Sequence, residues 1–152
     1  MDKRIKTPMI IGIILQGVAV VIALGCYLLQ GALPTMSNLK AGESVFPDTL
    51  ITMVITLLLH IITLLVMQTY EGESRRMIGG ILAAAYCIVN VATPIISRIT
   101  TFFDSRKGAV FIAAKGVLAS MISMLSSPFT IISLVFVLIA VGRYGVLDRE
   151  LS

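Results

Sequence analysis

Charged residues are scarce in this chain of 152 residues. Asp, Glu, Lys and Arg together make up 13% of it, whereas about a quarter of a soluble globular domain is charged. The deficit falls in long uninterrupted blocks, which is typical of membrane spans and not of a large soluble core. The composition therefore excludes an ordinary soluble domain.

Residue types that mark other classes of protein are also rare or missing. Tryptophan is absent and the net charge of +4 is scattered, so there is no basic stripe with interleaved aromatic residues for nucleic-acid binding. The two cysteines, Cys26 and Cys87, lie inside apolar runs and show no spacing typical of a metal site. We expect no nucleic-acid partner, no metal and no cofactor.

Catalytic signals are missing as well. The sequence contains neither HExxH nor GxSxG, and its eight acidic residues all fall at the ends of the chain or between apolar blocks. Solvated charge is the normal state at such positions. We therefore expect no enzymatic activity and no catalytic residue.

Four apolar blocks make up most of the chain. A hydrocarbon core of ~30 Å needs ~20 helical residues, and a span must be helical because lipid offers no partner to backbone groups. The blocks predict helices over about 8–31, 48–69, 76–100 and 109–142, joined by short connections. We expect one transmembrane domain over 1–152 and no soluble domain.

The first block has an alternative interpretation as a cleaved signal. Its basic start fits, and the sequence from Ala23 to Cys26 weakly resembles a lipoprotein cleavage site. Its apolar run is longer than the usual signal core of about 7–15 residues. We expect a retained helix.

The fourth block is longer than one span requires. Its 33 residues over 109–141 would form a helix of about 50 Å. Either the span begins near residue 121 and 109–120 project outside or lie on the membrane surface, or a tilted helix with a kink at Pro128 runs the full length against a long third helix. In both arrangements we expect Lys115 near the outer interface, with its ammonium group reaching water.

Small or polar residues recur in steps of three and four along the blocks, which gives each helix one stripe. In lipid such residues mark the faces where helices approach closely, and a repeat of 3.5 implies a left-handed crossing of about 20°. The sequence predicts an all-α integral membrane protein, a compact left-handed antiparallel four-helix bundle. A polar-lined cavity along its axis is the less favoured alternative. The helix-packing stripe comprises Gly12, Ala19, Ala23, Gly79, Ala83, Gly116, Ser120, Ser123 and Ser127.

The single histidine lies near the middle of the second block. The tight turn at 70–76 would place His60 opposite Tyr86, and Thr56 opposite Asn90. A neutral imidazole needs one donor and one acceptor, so His60 is either a clasp that fixes helix register or a proton-relay or ligand group. We favour the clasp because no Asp or Glu lies within a block. The candidate intramembrane polar cluster is Gln16, Thr56, His60, Tyr86 and Asn90.

Basic residues near the first span predict its orientation. Lys3, Arg4 and Lys6 precede it and Lys40 follows it, and the side with more Lys and Arg is usually cytoplasmic. With four spans, both termini would be cytoplasmic. We expect the membrane to be a bacterial cytoplasmic one.

These features favour a non-catalytic role. We expect an interaction or accessory subunit of a membrane complex or homo-oligomer, which contacts the lipid bilayer and either another membrane protein or a second copy of itself. The alternative is a small oligomeric channel or transporter with a polar path near His60. The sequence shows no inverted repeat and no pair of half-helices of the kind common in transporters.

Overall fold

Four long helices form the structure, a computed structural model that describes residues 3–32, 46–70, 75–104, 106 and 108–150, without the side chains of 75 and 147–150. The described part contains helices and turns only. Each of the four helices is long and apolar enough to cross a membrane, which confirms the predicted all-α membrane fold. They are α1 (Lys3–Leu28), α2 (Asp48–Thr69), α3 (Arg75–Asp104) and α4 (Ala109–Glu150), with a short 3-10 turn at Gln30–Ala32.

Helix α1 begins at Lys3 instead of at about residue 8, so that Pro8 lies inside it. Proline has no N–H to donate to the carbonyl four residues earlier, which belongs to Arg4. The Nη1 atom of Arg143, on α4, donates to that carbonyl at 2.9 Å. A side chain from the last helix therefore replaces the missing backbone donor in the first turns of α1.

Helix α4 continues without interruption for 42 residues, or about 63 Å. Residues 109–120 belong to this continuous helix, alongside an α3 of 30 residues, and whether they lie inside or outside the membrane stays a prediction. The left-handed crossing and the kink at Pro128 stay predictions. Most of the predicted connection 32–46, with Lys40, and most of the turn 70–76 lie outside the described residues.

Successive helices run antiparallel, and the first and last form the central pair. Helices α1 and α4 pack along most of their length, α2 packs on α1, α3 packs on α4, and α2 also touches α3 and α4. Many large apolar side chains remain exposed, as expected when the surrounding solvent is lipid tails.

The core consists of two apolar clusters at different heights. The terminal cluster, at the end where α1 begins and α4 ends, comprises Ile5, Met9, Met67, Leu82, Tyr86, Val137, Ala140, Val141 and Tyr144. The distal cluster, at the opposite end, comprises Ala19, Ala23, Leu50, Met53, Phe111, Ala114, Leu118 and Ile122.

Candidate functional site

A layer of buried polar side chains separates the two apolar clusters. On each helix that contributes to it, the polar residues lie between residues of the terminal cluster and residues of the distal cluster. Leaving such groups without hydrogen bonds in this environment would cost several kcal/mol each, on the order of 2–7. The polar layer comprises Gln16, His60, Thr63, Ser126 and Ser133.

His60 is fully enclosed, and both of its ring nitrogens have partners. Its Nδ1 lies 2.8 Å from the hydroxyl of Tyr86, which confirms the contact predicted from the helical hairpin. Its Nε2 lies 2.9 Å from Oγ of Ser133 on α4, a partner that the sequence analysis did not identify.

The neighbouring hydrogen bonds determine where the imidazole proton lies. The hydroxyl of Ser133 donates to the carbonyl of Gly12 at 2.6 Å, and this uses its one proton because a carbonyl can only accept. Ser133 must therefore accept from Nε2–H of His60. The other nitrogen, Nδ1, is then the acceptor for the hydroxyl of Tyr86. The ring is neutral and fully satisfied in this arrangement.

The resulting chain of hydrogen bonds connects all four helices. It runs from Tyr86 on α3 through His60 on α2 and Ser133 on α4 to the carbonyl of Gly12 on α1. Every donor points the same way, and the last acceptor has no proton to pass on. The geometry therefore suits a clasp that fixes the relative heights of four helices, and it suits a proton relay poorly.

Gln16 belongs to the same layer but not to the same chain. Its Nε2 donates to the backbone carbonyl of Met53 at 3.0 Å and so ties α1 to α2. Its Oε1 is buried without a partner among the described residues. Gln16 is therefore buried in the polar layer, as predicted. Its hydrogen-bond partner is the backbone of the neighbouring helix α2 and not another member of the predicted cluster.

The structure does not bring the remaining two members of the predicted cluster together. The hydroxyl of Thr56 donates to the carbonyl of Thr52 in its own helix at 2.8 Å. Asn90 is exposed, and no hydrogen bond of its amide occurs within the described part. The predicted pairing of Thr56 with Asn90 is not formed in the described part, because Thr56 bonds within its own helix and Asn90 faces outwards.

The predicted packing stripe is buried on α1 and displaced on α4. Gly12, Ala19, Ala23 and Gly79 are buried and Ala83 is half-buried, whereas the fourth-helix members are not: Gly116, Ser120 and Ser123 are exposed and Ser127 is half-buried. The buried face of α4 carries larger residues, among them Phe111, Leu118 and Ile122. Since α1 supplies the small residues at this contact, α4 can supply the large ones.

An ion-pair cluster at the distal end was not predicted. Nζ of Lys115 lies 3.2 Å from Oδ1 of Asp48 and also bonds Oδ2 of Asp104, while the hydroxyl of Thr100 donates to the second oxygen of Asp48. The three charged side chains are only 14–15% exposed. Lys115 thus points to two carboxylates, and its position near the outer interface stays a prediction. The sequence analysis missed this cluster because it ended the third helix at about residue 100. In the structure α3 ends at Asp104, which places that carboxylate beside α4.

A groove of about 320 Å³ runs between α3 and α4 at the terminal end. Here the backbones come so close that a Cβ atom on Gly79 would lie 3.4 Å from Cα of Gly145. We call this the glycine groove. Its lining includes Gly79, Gly80, Ala83, Leu138, Gly142 and Gly145.

Comparisons with protein-family models, with curated proteins and with solved structures find no match to this chain. Among the described residues, no group of three or more His, Cys, Asp or Glu side chains could hold a metal ion. The assignment of a function therefore rests on the contacts of the chain itself.

Proposed function

We propose that this protein is a non-catalytic integral membrane subunit that binds a transmembrane helix, either of another membrane protein or of a second copy of itself. The observation that carries the proposal is the exposed amide of Asn90 at the middle of α3. Intramembrane polar residues normally face a protein partner or a water-filled cavity.

Asn90 has two polar groups that its own helix does not satisfy. Its side-chain amide is exposed midway along a helix that is long and apolar enough to span a membrane. Its backbone carbonyl also lacks the usual donor four residues later, because that position is Pro94. An amide without a partner in hydrocarbon costs on the order of 4–8 kcal/mol, so a helix that pairs with Asn90 would be strongly favoured.

The rest of α3 is suited to close contact with another helix. Only 17% of its spanning segment is buried, against 28% in each of the other three helices. Its exposed residues include Gly80, Ala84 and Cys87 at a spacing of four and three, next to the glycine groove. Small side chains allow backbones to approach in lipid, where van der Waals packing drives association.

The enclosure of His60 supports this proposal over a channel or transporter. A polar path would need access to the imidazole, and the ring is fully buried with both nitrogens engaged. Three cavities between the helices, the glycine groove among them, are lined by other residues.

We further propose that the protein lies in a bacterial cytoplasmic membrane with both termini in the cytoplasm. The support is the excess of basic residues in the first turns of α1, where Lys3, Arg4 and Lys6 are found. The terminal end of the bundle would then face the cytoplasm and the distal end would face outwards.

The experiment is affinity purification of the full-length protein from its host in a mild detergent, followed by mass spectrometry. Asn90→Leu should reduce the recovered partner at least tenfold at equal abundance of the bait. Gly142→Leu should do the same by filling the glycine groove, since a Cβ there meets nothing within 4 Å of its own bundle.

Gly17→Leu is the matched control, because this glycine on α1 also has nothing within 4 Å of a Cβ and lies away from α3. Its partner recovery should equal that of the wild type. Oxidative cross-linking through Cys87, which is exposed, would identify a second copy as the partner. Equal recovery from Asn90→Leu, Gly142→Leu and the wild type would contradict the proposal.

A further inference from the structure

One outer face of α3 carries two interleaved sets of residues, and each set repeats every seven positions. The face comprises Gly80, Ala83, Cys87, Asn90, Pro94 and Ser97. Ala83 is half-buried and the other five residues are exposed. We call these six residues the α3 seam.

The α3 seam has the geometry of a contact between two parallel helices. Its steps of three and four residues follow the seven-residue repeat that keeps one face of a helix against a partner over its whole length. From Gly80 to Ser97 it extends for about 26 Å, which is most of a hydrocarbon core of ~30 Å. Most of its side chains are small, so a second backbone can approach closely.

The α3 seam is distinct from the face by which α3 packs in its own bundle. Helix α3 buries Gly79, Leu82 and Tyr86, and each of these lies one position before a residue of the seam, about 100° around the helix. The seam runs instead along the glycine groove, whose lining includes Gly80 and Ala83. A helix that contacts the seam would therefore also lie against α4 in this groove.

Membrane topology restricts how two copies of this chain can meet. Every copy inserts in the same orientation, because the same basic residues direct it. A two-fold axis between two copies then lies along the membrane normal, and the contact uses the same surface on both. Two copies of α3 would run parallel, and each residue of the α3 seam would meet its own counterpart at the same height.

Asn90, near the centre of the α3 seam, is suited to such a contact. Its side-chain amide both donates and accepts, so two amides that face each other across a two-fold axis can satisfy each other. A different protein would need a polar residue of its own at the height of Asn90. A second copy supplies that residue by symmetry.

We propose that the helix that binds this protein is α3 of a second copy, in a parallel homodimer whose two Asn90 amides exchange hydrogen bonds across the two-fold axis. This inference rests on the proposed function and names its partner. A single Asn in a seam with this repeat also fixes the register and the number of helices.

The test is oxidative cross-linking of the full-length protein in its membrane. In a Cys26→Ser background Cys87 is the one remaining thiol, and the proposed axis passes beside it. Copper phenanthroline with dissolved oxygen should therefore yield a disulfide-linked dimer.

The matched control is Ile88→Cys in a chain without Cys26 and Cys87. Ile88 is 68% exposed and adjacent in sequence, but it lies about 100° around the helix from Cys87. It should cross-link at least tenfold less. Equal cross-linking at the two positions, or none at Cys87, would overturn the inference.

Variants of Asn90 test the amide itself. The dissociation constant of the dimer can be measured on the purified protein in detergent by sedimentation equilibrium. Asn90→Leu should raise it at least tenfold, whereas Asn90→Gln should stay close to the wild type because it keeps a donor and an acceptor. The unfolding temperature should not fall in either variant, since Asn90 is exposed. Equal dissociation constants for the wild type and Asn90→Leu would overturn the inference.

Affinity purification from the host separates this inference from the proposed function. If the purified protein is monomeric and Cys87 does not cross-link, while Asn90→Leu still loses a different membrane protein, the homodimer is wrong and the helix-binding function stands. If the recovery of every partner is also unchanged in Asn90→Leu and Gly142→Leu, both are wrong.

Discussion

At the residue scale, His60 illustrates how a membrane bundle can bury a titratable side chain in its neutral form. The ring accepts from Tyr86 and donates to Ser133, so neither nitrogen is left without a partner. Interhelical hydrogen bonds in membranes contribute about 0.6 kcal/mol on average and at most about 1.7. The clasp therefore adds more to the choice of helix register than to the total stability.

Substitution of His60 should separate a clasp from a titrating group. His60→Gln should unfold close to the wild-type temperature, because an amide can still donate and accept. His60→Leu should lower the free energy of unfolding by about 1–3 kcal/mol, since it leaves buried polar groups unpaired. Thermal unfolding in detergent measures both.

Tyr86→Phe provides the control for this prediction. The double variant of His60→Leu and Tyr86→Phe should lose less free energy of unfolding than the sum of the two single losses. The reason is that both substitutions remove the same hydrogen bond, the one between His60 and Tyr86. A folded, abundant His60→Gln variant without function in the host would instead assign a titrating role to His60.

Gly12 lies at a contact between α1 and α4 where there is no room for a side chain. A Cβ atom there would lie 2.5 Å from Cγ2 of Val137 and 3.1 Å from the backbone oxygen of Ser133. Gly12→Ala should therefore push α1 from α4 and cost about 1–3 kcal/mol, as overpacking does. Gly17→Ala is the control in the same helix: its Cβ meets nothing within 4 Å, and stability should stay equal or rise by about 0.5–1 kcal/mol. Equal losses in the two variants, measured by chemical unfolding, would show that the α1–α4 contact is not this close.

At the element scale, α4 shows why a stripe of small residues predicts only part of a membrane bundle. The sequence rule identified Gly116, Ser120 and Ser123, and the structure exposes all three. Close approach needs small residues on one of two facing helices only. On the α1 side, Ala19 and Ala23 meet this need and contact the larger side chains of α4 within the distal cluster.

Two adjacent alanines on α4 test this assignment. Ala114 is fully buried in the distal cluster, and Ala113 is exposed. Ala114→Leu should destabilise the bundle by about 1–3 kcal/mol through overpacking, whereas Ala113→Leu should change the unfolding temperature little because its side chain meets lipid. If Ala113→Leu lowered the unfolding temperature more than Ala114→Leu, the predicted stripe would be the packing face of α4.

At the scale of the whole molecule, the sequence predicts the number of spans, the bounds of α2 and the pairing of His60 with Tyr86. Long apolar blocks and one short turn suffice for these features. The partner Ser133 could not be predicted, because it lies 73 residues from His60 along the chain and depends on how α4 packs. The Lys115 cluster could not be predicted for the same reason. It joins residues of α2, α3 and α4, and it requires α3 to extend to Asp104, beyond its predicted end at about residue 100.

The orientation of the whole bundle can be measured by cysteine labelling. In a background without Cys26 and Cys87, a membrane-impermeant maleimide added outside should modify Arg106→Cys at the distal end. It should spare Arg76→Cys at the terminal end, because the basic residues in the first turns of α1 retain that end in the cytoplasm. Both native arginines are exposed, so the pair differs in side and not in burial. The reverse labelling pattern would place both termini outside.

The pairing of α1 with α4 also affects how the protein is made. Helices enter a membrane in the order of synthesis, so α1 arrives first and its principal neighbour arrives last. Until Ser133 is in place, the Nε2–H of His60 and the carbonyl of Gly12 have no common partner. A chain that stops before α4 therefore leaves the Nε2–H of His60 in its second span without an acceptor, so an unfinished copy presents a bare polar group where a finished copy presents none.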